Sequence, residues 1–527
     1  MKNKILRSIF LIVLSSALLL TVTGCGGTNA EPSESTTETP DEGSFPEETL
    51  GVEPTPDETP GEESVSTETP GEEPTPDETS GEESVPTETP GEEPTPDDPP
   101  KHLYVDWITV KEATCEEDGE KYSNCEKCGE KQTVTVAASG HDLDSDNKCR
   151  TCGTVFSSGL IFQSNGDGTC YVYNIGTCTD TDIVIPPISP EGDKVTGIGS
   201  MSLAYHSGFK SVTIPRGVTY IAEYGFSGCT DLVSITIPDT VVSIGQGAFL
   251  NCESLVDIEL PDSVETIGDS AFGWCNGLTS IVIPSSVTAI GVLAFGYCES
   301  LTSVTLSDGV PIIGNNMFYG CTGLTEIAIP GSVTTIGEYA FMDCTSLKKV
   351  DLTNGLSEIH KGAFTGCGAL NSITLPKGLI FIDSWAFSAC TALESINIPS
   401  SVTAMGQGVF NACKSLSSVT LEEGLTSLEK YLFDGCESLT EITLPQSLTY
   451  IGTGVFSWCK ITSLTIPRNV TTIKREMLGN CFTVESITFE NTDGWKLFGE
   501  SVDVTDPVKN VEYLTSTRYM YSDMIRE

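Results

Sequence analysis

The chain has 527 residues, which exceeds the size of one compact domain and predicts several structural units. It carries 74 acidic against 27 basic residues, a formal net charge of −47. We therefore expect no nucleic-acid partner and no attraction to anionic lipid headgroups. Only four histidines occur in the whole sequence, which leaves few residues for His-based catalysis.

Residues 1–24 have the pattern of a secretory signal peptide. A basic stretch at residues 2–7 precedes an apolar run at residues 9–20, which is too short to span a bilayer. The sequence VTGC at residues 22–25 resembles the bacterial lipobox. That resemblance implies lipidation of Cys25 and attachment to a membrane on the extracytoplasmic surface of a bacterial cell. The alternative is ordinary signal cleavage that leaves Cys25 unmodified.

Residues 25–100 differ sharply from the rest of the chain. Between Cys25 and Lys101 there is no Lys or Arg, 24 residues are acidic, and Pro-rich segments such as GEEPTPDETP recur every ten residues. Such a segment has little apolar surface to bury, and its charges repel one another. We expect a lipid-anchored, disordered linker that acts as an extended stalk.

Residues 101–155 form a small cysteine-rich unit. Cys125 and Cys128 form one Cys-x-x-Cys pair, Cys149 and Cys152 form another, and twenty residues separate the two pairs. A glycine follows each pair, at residues 129 and 153, and we expect it to permit a tight turn. Four thiolates in this pattern suit a tetrahedral zinc site, so we expect a zinc-ribbon-like module with zinc as a structural cofactor. Disulfides are the alternative, because the protein is expected to be exported.

Cys115 and His141 are alternate ligands for this site. The stretch ATCEEDGEKYSNCEKCGE, followed by the GH pair at residues 140–141, resembles a small module of surface proteins from Gram-positive gut bacteria. The resemblance hints at a second tetrad of Cys115, Cys125, Cys128 and His141. In either case the role is structural, since so short a segment has too little core to fold without a crosslink or a metal.

From residue 195 to residue 489 the sequence repeats itself thirteen times. A typical unit, residues 255–275, reads LVDIELPDSVETIGDSAFGWC. A fixed period of this length predicts a solenoid of stacked turns, each completed by its neighbours. Ile258 and Leu260 alternate like a short strand that Pro261 ends, and Gly268 is expected where the chain turns. We expect short parallel strands stacked in one sheet, with loops or short helices on the return path.

This pattern resembles the BspA-like class of leucine-rich repeats, and the resemblance includes the lead-in GDGTCYVYNIGTCTDTDIVIP at residues 167–187. It implies an N-terminal cap at residues 156–194 and a C-terminal cap at residues 490–527, the latter with Trp495 and three tyrosines. It also implies host matrix proteins, other bacteria or glycans as ligands.

Twelve repeats carry a cysteine at the same position. The spacing is 23 residues, and 22 in the last interval. Stacked side chains that run parallel into a core have a poor geometry for disulfides, so we interpret these cysteines as small buried hydrophobic residues. They are Cys229, Cys252, Cys275, Cys298, Cys321, Cys344, Cys367, Cys390, Cys413, Cys436, Cys459 and Cys481.

Two sets of side chains are candidates for ligand contact. One is the outward position between the buried strand residues, expected on the concave side and often threonine: Thr213, Thr236, Thr305 and Thr374. The simpler interpretation is that threonine suits an exposed strand. The other set is aromatic, because interfaces commonly depend on aromatic anchors. It comprises Trp274 and Tyr297 on adjacent repeats, and Trp458 at the same position of a later one.

These features predict a cell-surface binding or adhesion protein with an extracellular protein or glycan as its partner. The alternative is a structural envelope or spacer protein without a dedicated ligand. The chain contains no G-x-S-x-G elbow, no H-E-x-x-H helix and no phosphate-binding loop, so we do not expect an enzyme. The sequence leaves the oligomeric state open.

Overall fold

The structure, a computed structural model, describes residues 102–115, 117–515 and 522–526. The predicted signal peptide, the lipidation site Cys25, the predicted linker, Tyr519 and Tyr521 all lie outside these residues. Within the described residues, no helix combines the length and the apolar character that crossing a membrane requires.

The cysteine module is built on a three-stranded antiparallel sheet. Its strands are β1 (Ile108–Lys111), β2 (Gly119–Asn124) and β3 (Lys131–Val136), in that spatial order. Strands β2 and β3 form a hairpin in which Asn124 pairs with Lys131 and Gly119 pairs with Val136. The first Cys-x-x-Cys pair is therefore at the tip of this hairpin.

The repeats form the predicted solenoid. The strand that contains Ile258 and the equivalent strands of the other repeats form the first ladder of parallel strands. Partners are in register at intervals of one repeat, as Ser211 with Ser234 and Thr213 with Thr236 show. A single bridge joins Ser372 to Ser395. The strands are Asp182–Val184, Ser211–Thr213, Ser234–Thr236, Asp257–Ile258, Ser280–Ile283, Ser303–Leu306, Glu326–Ala328, Lys349–Asp351, Ser395–Ile398, Ser418–Leu421, Ser463–Ile466 and Ser486–Phe489.

A second parallel ladder runs along the solenoid, so the expectation of one sheet is incomplete. The residues just before the turn glycine pair in register from repeat to repeat, as Ile244 does with Ile267. The return path consists of turns rather than short helices. The second-ladder strands are Lys194–Ile198, Tyr220–Ile221, Ser243–Ile244, Thr266–Ile267, Ala289–Ile290, Ile312–Ile313, Thr335–Ile336, Glu358–Ile359, Phe381–Ile382, Ala404–Met405, Ser427–Leu428, Tyr450–Ile451 and Thr472–Ile473.

We expected a glycine at position 268 because the chain turns there, but the structure gives a different reason for it. It does not adopt a positive φ. Instead, a Cβ atom at this position would lie 2.4 Å from the backbone nitrogen of Gln246 in the preceding turn. Glycine here allows two turns to approach each other closely.

A column of phenylalanine rings forms the centre of the core. Eleven rings, all fully buried, stack along the solenoid axis. Successive centroids are 5.2–5.8 Å apart, and the planes of neighbouring rings differ by 2–16°. The column comprises Phe226, Phe249, Phe272, Phe295, Phe318, Phe341, Phe364, Phe387, Phe410, Phe433 and Phe456.

The repeated cysteines are buried as predicted, but they also make hydrogen bonds. The thiol of Cys298 donates to the carbonyl oxygen of Phe272 in the preceding turn at 3.2 Å, and Cys321 donates to Phe295 at 3.1 Å. The same bond recurs at all twelve positions, from Cys229 to Cys481. Each thiol therefore satisfies a buried carbonyl group that would otherwise lack this partner.

Burial keeps these thiols protonated. It raises the pKa of Cys298 from 9.0 to about 12, and that of Cys413 likewise to about 12. At Cys275 burial raises the pKa, and the neighbouring cysteines add to the effect. None of the nineteen described cysteines forms a disulfide in the structure.

Both ends of the solenoid are covered. At the start, strand β4 (Ile161–Ser164) pairs antiparallel with β5 (Thr169–Asn174), which extends the second ladder, so the predicted cap is continuous with the repeats. At the end, three strands (Trp495–Leu497, Glu500–Ser501 and Met524–Arg526) add antiparallel pairs to the same ladder.

The C-terminal end also carries the only helix in the described part of the chain, α1 (Pro507–Thr515). Its buried Asn510 donates from Nδ2 to the carbonyl oxygens of Ile487 and Val504, at 2.9 Å each. Trp495, buried as expected of a cap residue, packs edge-on against Phe489 with ring centroids 5.0 Å apart. These contacts complete the last turn, which has no following repeat.

The cysteine column makes stability sensitive to alkaline pH. Because the folded pKa of each thiol is raised, the folded state holds protons that the unfolded state releases above pH 9, so stability is intact below pH 9 and falls between pH 9 and 12. Each thiol contributes a loss of about 1.4 kcal/mol per pH unit in this window. We expect the urea midpoint to fall steeply from pH 9 to pH 10.5.

The matched control removes three adjacent thiols in the variant Cys275→Ala/Cys298→Ala/Cys321→Ala. It should start less stable at pH 7, because three buried carbonyl groups each lose the hydrogen bond from a thiol. Its midpoint should then depend about a quarter less on alkaline pH, since three of the twelve column thiols are absent. Equal dependence in the two proteins would show that the thiols are not the cause.

Candidate functional site

The outward positions of the first ladder form a continuous exposed stripe. The four predicted residues, Thr213, Thr236, Thr305 and Thr374, are all exposed, while the strand residues beside them face the core. Serines two residues earlier are also in register, as Ser211 is with Ser234. The stripe presents rows of hydroxyl groups at the spacing of adjacent strands, about 4.8 Å.

Strand pairing beneath the stripe lapses at four places along the first ladder. The first lapse lies between Asp257–Ile258 and Ser280–Ile283. A cavity of about 370 Å³ opens at this point, and its lining includes Asp257, Glu259 and Val282. Val282 is exposed and apolar, whereas its neighbour along the stripe, Glu259, is acidic. Among the cavities described, this is the one that lies on the stripe. Here a concave surface with acidic and apolar side chains replaces the flat rows of hydroxyl groups.

Aromatic residues occupy corners where the backbone is left-handed. Each repeat has two such corners, four residues apart, and they hold non-glycine residues such as Tyr339 (φ 56°), Trp385 (φ 63°) and Trp458 (φ 60°). A positive φ costs an ordinary residue about 1–2 kcal/mol. Side chains that remain at such positions therefore need a compensating contact or a function.

Most of these rings cover a glycine in the next turn. The ring of Trp385 lies over Gly408, so close that an added Cβ would be 2.3 Å from it. Six aromatic residues make this contact, with 2.3–2.8 Å from the virtual Cβ to the ring. The pairs are Tyr205 over Gly228, Tyr224 over Gly247, Tyr297 over Gly320, Tyr339 over Gly362, Trp385 over Gly408 and Tyr431 over Gly454.

Two tryptophans depart from this pairing. Trp274 is followed at the same corner by Tyr297, and the two rings stack with centroids 4.7 Å apart. Tyr297 also contacts Tyr319, so three half-buried rings form a strip across successive turns. Trp458 is followed by Asn480 rather than by a glycine, and it is 57% exposed.

The two Cys-x-x-Cys pairs form knuckles with the same backbone geometry. In the first, the N–H of Gly129 donates to the carbonyl of Cys125 at 2.8 Å, and in the second Gly153 donates to Cys149 at 2.9 Å. Both glycines have positive φ, 76° and 78°, as the expected tight turns require. Each knuckle places two sulfur atoms on one side of its turn.

The structure does not bring the four expected cysteines together. Cys149 and Cys152 converge with the two alternates, Cys115 and His141, and the four ligand atoms lie within 4.8 Å of one another. We call these four residues set A. Cys125 and Cys128 converge instead with His102, and these three residues are set B.

Strand β2 explains this division. Cys115 precedes β2 and Cys125 follows it, and six extended residues span roughly 20 Å. Strand β3 then returns the chain, so that the N–H of Ser139 donates to the carbonyl of Thr114 at 2.9 Å and His141 arrives beside Cys115. In this structure, therefore, neither the four Cys-x-x-Cys cysteines nor the second expected tetrad is gathered around one point.

The knuckles lower the pKa of their first thiols. At Cys149, hydrogen bonds led by the backbone N–H of Cys152 lower the pKa to about 5. At Cys125, burial would raise the pKa, but hydrogen bonds from backbone N–H groups, led by that of Leu103, outweigh it and lower the value to about 6. Such thiols are thiolates at neutral pH, the form that binds metals.

Comparison with known proteins identifies the family. The model of the BspA type leucine-rich repeat region matches residues 196–325, 311–436 and 406–502, together more than half of the chain. The chain belongs to this family. The predicted resemblance is thus confirmed, and the BspA-type repeats account for the register of both ladders.

Three solved structures are similar to this chain. A leucine-rich repeat protein from Bacteroides ovatus has a TM-score of 0.58 at 29% identity, over 63% of this chain and 88% of its own. A leucine-rich cell surface protein from Faecalibacterium prausnitzii is 30% identical over 64% of this chain and 96% of its own, with a TM-score of 0.45. The pneumococcal vaccine antigen PcpA is 20% identical over 71% and 98%, with a TM-score of 0.45. The comparison with curated proteins gave no match.

Sequence reasoning missed the pairing of aromatic residues with glycines in the BspA-type repeats. The signal was present as a glycine that follows an aromatic residue by 23 positions, as Gly408 follows Trp385. It also missed the position of His102 beside the first knuckle, because this residue precedes the cysteine-rich stretch and belongs to no motif. Its proximity to Cys128 arises only when the chain before β1 runs alongside the first knuckle.

The pairing makes Gly408→Ala strongly destabilising. The new Cβ would meet the Trp385 ring and would also occupy a backbone with φ 62°. We expect a loss of about 2–4 kcal/mol in the free energy of unfolding, of which only about 1 kcal/mol is backbone strain. Urea denaturation followed by circular dichroism would measure it.

Gly166→Ala is the matched control, because Gly166 has φ 84° but no atom within 4 Å of an added Cβ. It should cost about 1 kcal/mol, the backbone term alone. The double variant Trp385→Ala/Gly408→Ala should lose less than the sum of the two single variants. Equal costs for Gly408→Ala and Gly166→Ala would contradict the proposed ring contact.

Proposed function

We propose that this protein is a bacterial surface protein that uses its solenoid to bind an extracellular protein or glycan. The observation that carries the proposal is Trp458, a tryptophan with a left-handed backbone that is 57% exposed and covers no glycine. The fold does not need it in the way that it needs Trp385 over Gly408. An exposed aromatic residue without a packing role is typical of a binding contact.

A second exposed ring lies on the next turn. Phe482 directly follows Cys481 and is 86% exposed, and Trp458 directly precedes the equivalent Cys459. Two large apolar side chains on adjacent turns supply the kind of anchor that a flat stripe of hydroxyl groups lacks. The stripe and the Trp274–Tyr297 strip extend the contact surface along the axis.

The charge of the chain limits the class of ligand. With a net charge of −47, the protein repels polyanions, so the proposed ligand is a protein surface or a glycan without dense sulfate or phosphate. Hydroxyl groups of the stripe can donate and accept hydrogen bonds, and aromatic rings can pack on apolar faces of proteins or sugars. A neutral glycan and a weakly charged protein both fit this surface.

A structural role is the second candidate. The uniform stripe, with threonine at Thr213, Thr236, Thr305 and Thr374, favours a spacer or coat component whose surface contacts nothing in particular. The two candidates differ in one measurable respect. Only a binding protein should show saturable association that depends on the exposed rings.

Binding is tested with the full chain against matrix proteins, mucin glycans and whole bacterial cells. Trp458→Ala should weaken saturable binding about tenfold or more, because removal of an interface anchor costs more than about 1 kcal/mol. Trp385→Ala is the control: it removes the same side chain from a glycine contact, so it should lower the melting temperature and leave affinity unchanged.

Three outcomes separate the candidates. Loss of affinity with Trp458→Ala alone supports the proposed contact surface. Equal loss with both variants would show that stability, not contact, governs binding. Absence of saturable binding to every ligand on the panel would favour the structural role and overturn the proposed function.

We further propose that Cys25 carries the membrane anchor, because it follows an apolar run and the small residues of the VTGC motif. When the full precursor is produced in a bacterium, the protein should partition into the detergent phase of a Triton X-114 extraction. Cys25→Ala should move it to the aqueous phase or leave the precursor uncleaved. Detergent-phase partition of a Cys25→Ala protein with a cleaved signal would rule out this anchor.

A further inference from the structure

Two clusters of histidine and cysteine stand at opposite ends of strand β2. We propose that residues 102–155 bind two zinc ions: one closed in by Cys115, His141, Cys149 and Cys152, and one held by His102, Cys125 and Cys128 with its fourth position open. This differs from the single site expected from the two Cys-x-x-Cys pairs, and it is independent of what the solenoid binds.

Set A has the dimensions of a tetrahedral site. With Zn–S bonds of about 2.3 Å and Zn–N bonds of about 2.0 Å, the edges of the tetrahedron are about 3.8 Å between sulfurs and about 3.5 Å between sulfur and nitrogen. In set A, the Sγ atoms of Cys115 and Cys149 are 3.8 Å apart, and Sγ of Cys152 is 3.4 Å from Nδ1 of His141. Three thiolates and one imidazole are a donor set typical of structural zinc.

The surroundings of set A suit a closed, structural ion. Cys115 and Cys149 are buried, and together with Phe156 they form the small apolar core of the module. The ring of His141 packs edge-on against Phe156, with centroids 4.9 Å apart, which fixes the orientation of the ligand. Three buried side chains are too few to hold a fold of this size, so a crosslink at this position supplies what the core lacks.

Set B has three ligands and a supporting carboxylate. Nδ1 of His102 is 3.3 Å from Sγ of Cys128, close to the expected edge of a tetrahedron. On the far side of the ring, Nε2 of His102 is 3.4 Å from the carboxylate of Glu130. A carboxylate on the second nitrogen is the arrangement that orients metal-binding histidines. Cys128 and His102 are exposed, so water or an outside ligand can take the fourth position.

The two ions would have different structural effects, because only set A lies against the solenoid. Val184, on the first strand of the first ladder, packs against the core that contains Cys115 and Cys149. Beside it, Val184 and Ser157 exchange two hydrogen bonds: Ser157 N–H to the Val184 carbonyl at 2.8 Å, and Val184 N–H to Ser157 Oγ at 3.0 Å. Loss of the ion at set A should therefore loosen the join between module and solenoid, whereas loss at set B should affect only the hairpin tip.

Metal content of the purified full chain tests the proposal. Elemental analysis should find two zinc ions per chain, and replacement by Co²⁺ should give the intense thiolate-to-cobalt absorption of tetrahedral sites. Cys149→Ser and Cys128→Ser should each reduce the content from two ions to one, and the double variant should have none. Cys178→Ser, outside both sets, is the control and should keep two.

Two further measurements test the proposal even if a serine variant fails to fold. His141→Cys should retain two ions, because a fourth thiolate can replace the imidazole, and its cobalt absorption should shift. Limited proteolysis near residue 157 should accelerate in Cys149→Ser but not in Cys128→Ser.

Several results would overturn the proposal. A denatured mass that shows loss of two hydrogens per cysteine pair, without zinc, would establish disulfides instead. Loss of all metal in both Cys128→Ser and Cys149→Ser, with none lost in Cys115→Ser, would restore the single four-cysteine site. A zinc content that is the same in Cys128→Ser as in the unaltered chain would remove set B.

Discussion

Stacking of each turn on the next is the constraint on which the rest of this structure depends. The phenylalanine rings keep a centroid spacing of 5.2–5.8 Å over eleven turns, and ten of the twelve column thiols donate to the carbonyl of the phenylalanine 26 residues earlier. Both contacts cross between turns, so no repeat can satisfy its own core. A residue at the cysteine position must be small, apolar and able to donate one hydrogen bond. Cysteine meets all three requirements, and burial keeps its proton in place.

Because the core is satisfied between turns, the outer corners are free to vary, and the variation is informative. Where a ring covers the glycine of the next turn, as Trp385 covers Gly408, the aromatic residue belongs to the fold although it is partly exposed. Where no glycine follows, as at Trp274 and Trp458, the side chain does not make this contact with the next turn. Exposure alone would not separate the two groups. The identity of the residue one turn later separates the two groups. It is the reason why the binding proposal rests on Trp458 rather than on aromatic residues in general.

The cysteines of the chain serve two purposes that depend on their surroundings. In the solenoid, burial raises the pKa of Cys298 and its neighbours, so they remain inert donors. In the module, N–H groups of the knuckles lower the pKa of Cys149 to about 5, which gives a thiolate. The same side chain is therefore a core residue in one unit and a metal ligand, as proposed, in the other. The difference arises from the surroundings: a tight turn with glycine at φ 78° directs several donors toward the sulfur, whereas in the column burial outweighs the one backbone hydrogen bond that lowers the pKa.

The sequence by itself determined the solenoid, its period, the buried cysteine column and the exposed stripe. Each repeat packs against neighbours with the same pattern, so the pattern within one repeat also determines the contacts between repeats. It also predicted the tight turns at Gly129 and Gly153, which depend on adjacent residues only. Only the tertiary structure decided the second ladder, the thiol hydrogen bonds and the rings over glycines, since these join atoms one turn apart whose distance no spacing reveals. The grouping of the proposed metal ligands was decided in the same way. Strand β2 separates Cys115 from Cys125 and brings His102 to Cys128, and chain separation does not encode that distance.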